Sequence, residues 1–167
     1  MASPRSIRYT LGLGGNIRPR RSALSQAIDL IATRCGTVEA LSPRYMSEPW
    51  GFEADTWFIN QNITLLSDLP PLALLDHLLT IEHELGRRRN PLSSAYASRP
   101  IDIDILLAGD LRLDHPRLQI PHPHLAARRF VLLPLLDLLP HGVHPTLGTS
   151  YAELLDSCPD RGACEKI

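Results

Sequence analysis

The sequence predicts an α+β fold, because strand-like and helix-like segments alternate along a chain of one-domain size. The chain has 167 residues, of which 44% are hydrophobic and 21% are charged, which is enough to bury one core. Neither an internal repeat nor a linker-like composition interrupts it. We therefore expect one domain over residues 1–167, with a polar, flexible tail from about residue 157.

The first half of the chain contains three strand signals and one helix signal. Residues 7–13 form a short apolar run that is typical of a strand. Apolar side chains then recur at helical spacing over residues 24–35, and Gly36 ends this helix. Two further strands are predicted over 38–46 and 58–66, separated by a turn-rich segment.

The second half adds a helix, a strand and a helical extension. Prolines at 70 and 71 open a helix that ends before Gly86, and residues 99–107 follow as a strand after a polar loop. Two more helices are predicted, over 130–138 and 149–155. The order β-α-β-β-α-β is that of a ferredoxin-like core, a mostly antiparallel sheet with helices on one face, here with a C-terminal helical extension.

Charge and composition exclude some classes of partner. The net charge of −1 argues against a surface for nucleic acid, and no apolar run is long enough to span a membrane. The N-terminus lacks the apolar core of a signal peptide. Three cysteines fit reduced thiols better than a disulfide framework. We therefore expect a cytoplasmic protein.

The strongest chemical signal is a pair of aspartates in the last core strand. Asp102 and Asp104 point to the same side of a strand, with Cα atoms roughly 6.5 Å apart, while the isoleucines that alternate with them point to the other side. Two carboxylates this close repel each other unless a cation lies between them, and Mg²⁺ with phosphate oxygens is the usual solution. The alternative is an amphipathic strand with one wet face. Arg99 and an arginine run upstream favour a phosphoryl-transfer site.

Two other patterns have simpler interpretations. The glycines of residues 12–15 suggest a phosphate-binding loop, but Ile17 breaks the dinucleotide fingerprint and no lysine follows, so we interpret them as a tight strand-to-helix turn. The histidines between 122 and 144 and the cysteines at 158 and 164 match no zinc-site spacing. We interpret these histidines as surface residues and place both cysteines in the tail.

Short motifs that follow one another between about residues 7 and 155 carry a family resemblance. They are Tyr45-Met-Ser-Glu-Pro-Trp-Gly-Phe52, Trp57-Phe-Ile-Asn60, Ile81-Glu-His-Glu-Leu-Gly-Arg87, Arg99-Pro-Ile-Asp-Ile-Asp104, and Ile120-Pro-His-Pro-His124 through Arg128-Arg-Phe130. Together they resemble the 6-hydroxymethyl-7,8-dihydropterin pyrophosphokinases of the folate pathway. The resemblance implies a ferredoxin-like core and transfer of the β,γ-diphosphate of ATP to the hydroxymethyl oxygen of a reduced pterin, with release of AMP.

The resemblance also implies roles for individual residues. Asp102 and Asp104 match the family's magnesium ligands, with two ions expected beside ATP, and Arg87 and Arg99 join them as catalytic residues. The residues implied to bind ATP are Arg87, Arg89, Arg99, Arg117, His122 and Arg128. Those implied to bind the pterin are Phe58 and Phe130 as a ring sandwich, Asn60 through its side chain, and Ser47 and Trp50 through their backbones. No general base stands out, so catalysis should rest on positioning and charge neutralisation.

Two functions of other classes stay open at this point. One is a non-catalytic ligand-binding or RNA-binding module on the same scaffold, and the other is a metal-dependent nuclease or sugar-nucleotide transferase that uses the same aspartates.

Glu82 either orients an arginine or touches substrate. We expect residues 47–56 and 88–98 to close over the substrates. The expected partners are ATP and the hydroxymethyl-dihydropterin, bound by a monomer, with no nucleic acid and no membrane.

Overall fold

A computed structural model describes residues 5–16, 20–49, 56–86 and 101–167. The elements in these ranges are, in order, β1 (Ile7–Gly15), α1 (Arg20–Arg34), β2 (Thr37–Leu41), β3 (Tyr45–Ser47), β4 (Phe58–Ser67), α2 (Pro71–Glu84), β5 (Asp102–Ala108), β6 (Leu113–His115), β7 (Leu118–Ile120), a 3₁₀ turn (Leu125–Ala127), α3 (Arg129–Leu138), α4 (Tyr151–Asp156) and β8 (Cys164–Lys166).

The described strands form one main antiparallel sheet. Its order is β5-β1-β4-β3-β8, and β2 pairs with β4 beside β3, while β6 and β7 form a separate hairpin. With β2 and β3 counted as one interrupted strand, the four core strands have the order expected of the ferredoxin-like arrangement. The predicted α+β class is confirmed.

Helices α1 and α2 cover one face of the sheet. Each helix turns an apolar side inward because its large apolar residues recur three or four positions apart. The helical side chains that are fully removed from solvent are Leu24, Ala27, Ile31, Leu74, Leu78 and Ile81. They pack against β1, β4 and β5 in the first core cluster.

The C-terminal helices build a second core on the opposite face. Leu132 and Leu135 of α3 and Tyr151 of α4 pack with Leu106 and Leu107 of β5. This core covers only part of that face, next to β4 and β5, and the face is partly open where β1, β4 and β5 carry polar residues and glycines. The predicted helical extension therefore forms one wall of a cleft.

The predicted strand over 38–46 is wrong as one element, because it divides into β2 and β3. Pro43 lies in the break and has no N–H to donate to a ladder. Ser42 compensates, because its N–H donates to the Asn62 carbonyl oxygen at 2.9 Å and its hydroxyl accepts the Asn62 N–H at 3.0 Å. The two short strands thus pair with β4 on either side of this break.

The residues from about 157, for which we expected a flexible tail, contact the rest of the protein. Cys158 is buried in the second core, and β8 pairs with β3 at the edge of the sheet. His144 is also buried, and its ring Nδ1 accepts the backbone N–H groups of Thr146 and Leu147. The interpretation as a surface residue is therefore wrong for this histidine. These contacts join residues that are distant in sequence or turn a polar ring inward, which composition alone does not predict.

Candidate active site

A cleft opens on the sheet face opposite α1 and α2. Its walls come from β1, β3, β4, β5 and the start of α3. It brings together every described residue that the sequence had marked for metal or pterin, namely Ser47, Phe58, Asn60, Asp102, Asp104 and Phe130, and it adds Arg128, which had been marked for ATP.

The two aspartates lie on β5 as the alternation predicted. Asp102 and Asp104 face the cleft, whereas Ile103 and Ile105 are buried in the first core. The Asp104 carboxylate lies 3.7 Å from the Arg128 guanidinium and 3.8 Å from His122 Nε2. One side of this acidic pair is therefore balanced by a buried arginine.

Glycines in β1 make room for the cleft. Gly14 pairs with Asp102 on one side and Asn60 on the other, and Gly12 lies between Asp104 and Asn62 in the same way. A Cβ at Gly14 would come within 2.8 Å of Asn60 Oδ1. The predicted tight turn is wrong here, since both glycines lie inside β1 and are required for space rather than for a left-handed backbone.

Asn60 and two phenylalanines form the part of the cleft away from the aspartates. Asn60 is buried, and its side-chain amide donates to Ser47 Oγ at 2.7 Å. Phe58 projects from β4, while Phe130 is half-buried in the first turn of α3. The Arg128 guanidinium carbon lies 5.7 Å from the Phe130 ring centre. The cleft thus combines flat apolar surfaces with a fixed amide, which suits a planar heterocycle.

A second cleft meets the first at Asp104. It runs along the edge strand β5 towards the β6–β7 hairpin, and Asp104, Arg117 and His122 line it. Arg117 is exposed and pairs with Asp76 of α2 at 2.5 Å. Two separate clefts therefore share one carboxylate.

His122 presents an N–H to this junction. Burial, with smaller contributions from Arg128 and His124, lowers the pKa of His122 to about 4. The ring is therefore neutral at pH 7, and its Nδ1 accepts the His124 N–H at 3.1 Å. The ring proton then resides on Nε2, which is the nitrogen facing Asp104.

Glu82 supports the strand that bears the aspartates. It is 2% exposed on α2, and its carboxylate accepts the N–H of Ile103 at 2.7 Å. Ile103 lies between the two aspartates on a strand that forms the edge of the main sheet. Glu82 therefore orients β5, a role that we had not predicted.

Some predicted site residues lie outside the described residues. They are Trp50, Arg87, Arg89 and Arg99. Most of the two segments expected to close over the substrates also lies outside them. Sequence reasoning missed the roles of Gly12, Gly14 and Glu82. For the two glycines, the available signal was their spacing of two within a strand. For Glu82, it was a charged residue on an apolar helix face.

The donor set at Asp102 and Asp104 fits magnesium. Oxygen ligands alone suit this ion, which usually takes one or two carboxylates and completes its shell with water and substrate phosphates. Within the described ranges, the protein gathers no group of three or more His, Cys, Asp or Glu side chains that could hold a metal by itself. The pair therefore fits an ion delivered with a phosphate ligand.

Comparisons with known proteins agree with this geometry. Residues 10–140 match the family described as 7,8-dihydro-6-hydroxymethylpterin-pyrophosphokinase (HPPK). The chain belongs to this family. A 2-amino-4-hydroxy-6-hydroxymethyldihydropteridine pyrophosphokinase of Porphyromonas gingivalis is 42% identical over 140 residues, which are 83% of this chain and 95% of the relative. One from Pseudomonas aeruginosa is 41% identical over 156 residues, covering 93% of this chain and 94% of the relative.

Solved structures share the HPPK fold. The chain resembles an HPPK-DHPS crystallised in complex with substrates, with a TM-score of 0.74 and 16% identity over 90% of this chain and 43% of that chain. It also resembles the wild-type HPPK-DHPS of Plasmodium falciparum with STZ-DHP, with a TM-score of 0.72 and 16% identity over 91% of this chain and 43% of that chain. The chain spans less than half of these longer proteins, and at such identities the likeness shows the fold alone.

Membership of the HPPK family confirms the predicted activity class. The chain is a pyrophosphokinase that transfers a pyrophosphoryl group from ATP to hydroxymethyldihydropterin in folate biosynthesis. The HPPK family uses Mg-ATP. Of the helices in the described part of the chain, none is both long and apolar enough to cross a membrane.

Proposed function

We propose that Asp102 and Asp104 hold magnesium while the first cleft binds 6-hydroxymethyl-7,8-dihydropterin and the second binds ATP. The observation that carries this proposal is the position of Asp104, which lines both clefts. In the reaction, the hydroxymethyl oxygen loses its proton to solvent and forms a bond to the β-phosphorus, the bond between that phosphorus and the oxygen bridging to the α-phosphate breaks, and AMP leaves. A carboxylate shared by both clefts lies where the two reactants must meet.

The pterin ring is proposed to stack between Phe58 and Phe130. Asn60 offers its side-chain oxygen to a ring N–H, because its amide nitrogen is already committed to Ser47. The backbones of Ser47 and Trp50 are proposed to contact the ring edge. A rigid amide and two aromatic faces fix the orientation of the ring without an acid or a base.

The triphosphate is proposed to lie against Arg128, His122 and Arg117. Arg128 is buried beside Asp104, so it carries a positive charge into a site with little solvent screening. His122 offers its Nε2 proton to a phosphate oxygen. The family motifs support adding Arg87, Arg89 and Arg99 to this set.

The charge of the triphosphate is the main barrier that the site must overcome. Two magnesium ions, when bound, neutralise phosphate oxygens and align the β-phosphorus with the attacking oxygen. Asp102 and Asp104 supply the anchoring oxygens, and Glu82 keeps the strand between them in place. We further propose that the protein acts as a monomer.

The test is release of AMP from ATP that requires both the hydroxymethyl-dihydropterin and magnesium. Asp102→Asn and Asp104→Asn should each lower turnover by about 100-fold or more, because each removes an anchoring charge. Asp110→Asn is the matched control, since it changes an exposed carboxylate just beyond the same strand and should leave turnover unchanged.

Other outcomes would contradict the proposal. ATP hydrolysis that does not depend on the pterin would favour a nuclease or another metal-dependent transferase. Binding of the pterin or ATP without release of AMP would favour a non-catalytic module. Turnover that survives in both aspartate variants would remove their assigned role.

A further inference from the structure

The last residues of the chain run along the open edge of the pterin cleft. We define residues 160–167 as the C-terminal segment, which lies beyond the family match over residues 10–140. Its strand β8 pairs with β3, with Cys164 opposite Ser47. The Ile167 N–H donates to the Arg44 carbonyl oxygen at 2.9 Å. The segment is therefore fixed to the strand that ends at Ser47.

The segment also holds the first turn of α3. One oxygen of Asp160 accepts the Arg129 N–H at 3.0 Å, and the other accepts the Gly162 N–H at 2.9 Å. The first N–H groups of a helix have no acceptor within the helix, and a carboxylate there is stabilising. Asp160 thus binds the backbone of the residue that immediately precedes Phe130.

A second contact joins the segment to the wall of the cleft beside Ser47. Two hydrogen bonds join Glu48 and Ala163. The Glu48 N–H donates to the Ala163 carbonyl oxygen at 3.2 Å, and the Glu48 carboxylate accepts the Ala163 N–H at 2.5 Å. Ser47, Glu48, Phe130 and Cys164 line a further pocket, which shares its first three residues with the pterin cleft.

The far end of α3 is held by the same strands. Asp137 accepts a hydrogen bond from the Tyr45 hydroxyl of β3 and lies 3.6 Å from the Lys166 ammonium of β8. The Lys166 ammonium also lies 5.7 Å from the centre of the Tyr45 ring. Helix α3 is therefore attached to β3 and β8 near both of its ends.

We infer that the C-terminal segment sets the spacing between Phe58 and Phe130 and so determines how tightly the pterin ring is held. Phe58 is the first residue of β4 and pairs with Ser47 of β3, while the rest of β4 pairs with β1. Phe130 belongs to α3, which Asp160 and Asp137 hold near its two ends in addition to its packing in the second core. These two carboxylates are positioning residues, and the inference rests on the pterin site proposed above.

The test compares ligand affinities rather than overall activity. Asp160→Ala should raise the Kd for 6-hydroxymethyl-dihydropterin about fivefold to tenfold, because Phe130 is no longer held in its binding position. The Kd for α,β-methylene-ATP with magnesium should rise less than the Kd for the pterin, because Arg128 is the one described residue of the proposed ATP contacts that adjoins α3, whereas Arg117 and His122 line the second cleft. Both constants are read by fluorescence titration, with the melting temperature recorded alongside.

Three further variants make the test specific. Asp160→Asn keeps one acceptor oxygen and should recover part of the lost affinity. Tyr45→Phe keeps the buried ring and removes only the hydroxyl that binds Asp137, so it loosens the other end of α3 without threatening folding. Asp156→Ala changes an exposed carboxylate of α4 and should alter neither Kd.

Unchanged pterin affinity in both Asp160→Ala and Tyr45→Phe would overturn the inference, and so would equal losses for the pterin and the ATP analogue. Failure of the proposed function would look different. In that case the unmodified protein itself would neither bind the pterin nor release AMP in its presence.

Discussion

Gly14 of β1 lies between Asn60 and Asp102, and a larger residue there would crowd Asn60. Gly14→Ala should raise the Kd for the pterin about tenfold, because a Cβ 2.8 Å from Asn60 Oδ1 pushes the amide out of the position fixed by Ser47. Backbone strain plays no part, because the φ angle of Gly14 is not in the positive range that favours glycine. Fluorescence titration with 6-hydroxymethyl-dihydropterin measures the change.

Gly12→Ala is the natural comparison. Its Cβ would meet the end of the Leu106 side chain at 3.1 Å, which can shift more easily than a hydrogen-bonded amide. We expect a smaller loss of pterin affinity than in Gly14→Ala. The reverse order would show that Asn60 does not contact the pterin as proposed.

Glu82 should matter for stability as well as for the site. Glu82→Ala leaves the Ile103 N–H without its buried acceptor and should lower the free energy of unfolding by about 1–3 kcal/mol. Glu84→Ala, on the same helix, breaks only a surface pair with Arg34 and should cost less than about 1 kcal/mol. Urea denaturation distinguishes the two, and equal losses would contradict the role given to Glu82.

For single residues, the sequence was most informative where the period of two in a strand decides which face a side chain is on. The alternation around Asp102 and Asp104 predicted their common face, and the structure places them so. The burial of His144 could not be predicted in this way, because it depends on two backbone N–H groups brought to its ring by a turn. The roles of Glu82 and Gly14 likewise depend on which strand lies opposite each residue.

Helix α2 joins the first core to the strand that carries the aspartates. Leu78 is fully buried there, and Leu78→Ala should lower the free energy of unfolding by about 2–5 kcal/mol, through lost burial and the cavity that remains. Leu41→Ala makes the same change at a side chain of β2 that is 54% exposed and should cost less than about 0.5 kcal/mol. Similar urea midpoints for both variants would contradict this account of the core.

The elements themselves were predictable to different degrees. Helices α1 and α2 follow from apolar spacing with a glycine or proline at an end. The bounds of α2 lie close to the predicted ones, whereas α1 begins at Arg20, before the first apolar residue of the predicted pattern. The strand β8 could not be found, because three residues carry no period and their conformation comes from pairing with β3. The division of residues 38–46 into two strands depends on Ser42 and Pro43, whose effect is local and easily overlooked beside an apolar pattern.

At the scale of the whole molecule, the two cores share one strand. Ile103 and Ile105 of β5 belong to the first core, while Leu106 and Leu107 belong to the second. Losing either core would expose one side of β5 and weaken its pairing with β1. We therefore expect the described sheet and helices to unfold in one cooperative transition.

The cysteines provide a test, because they lie in different parts of the fold. Cys35 is buried in the first core and Cys158 in the second, while Cys164 lies in β8. Burial raises the pKa of the Cys164 thiol to about 11, so at pH 8 only about 0.1% of it is the reactive thiolate. All three thiols should therefore react slowly with iodoacetamide in the native protein.

In a urea series at pH 8, we expect Cys35 and Cys158 to become reactive at the same urea concentration, because neither core keeps its shape without β5. Mass spectrometry of the labelled peptides assigns each site separately. Cys164 becomes reactive at the same concentration if β8 stays paired until global unfolding, and earlier if this edge strand opens first. The latter result would also predict weaker pterin binding just below the transition, since β8 holds α3. A lower midpoint for Cys158 than for Cys35 would instead show that the second core unfolds alone and that β5 does not couple the two.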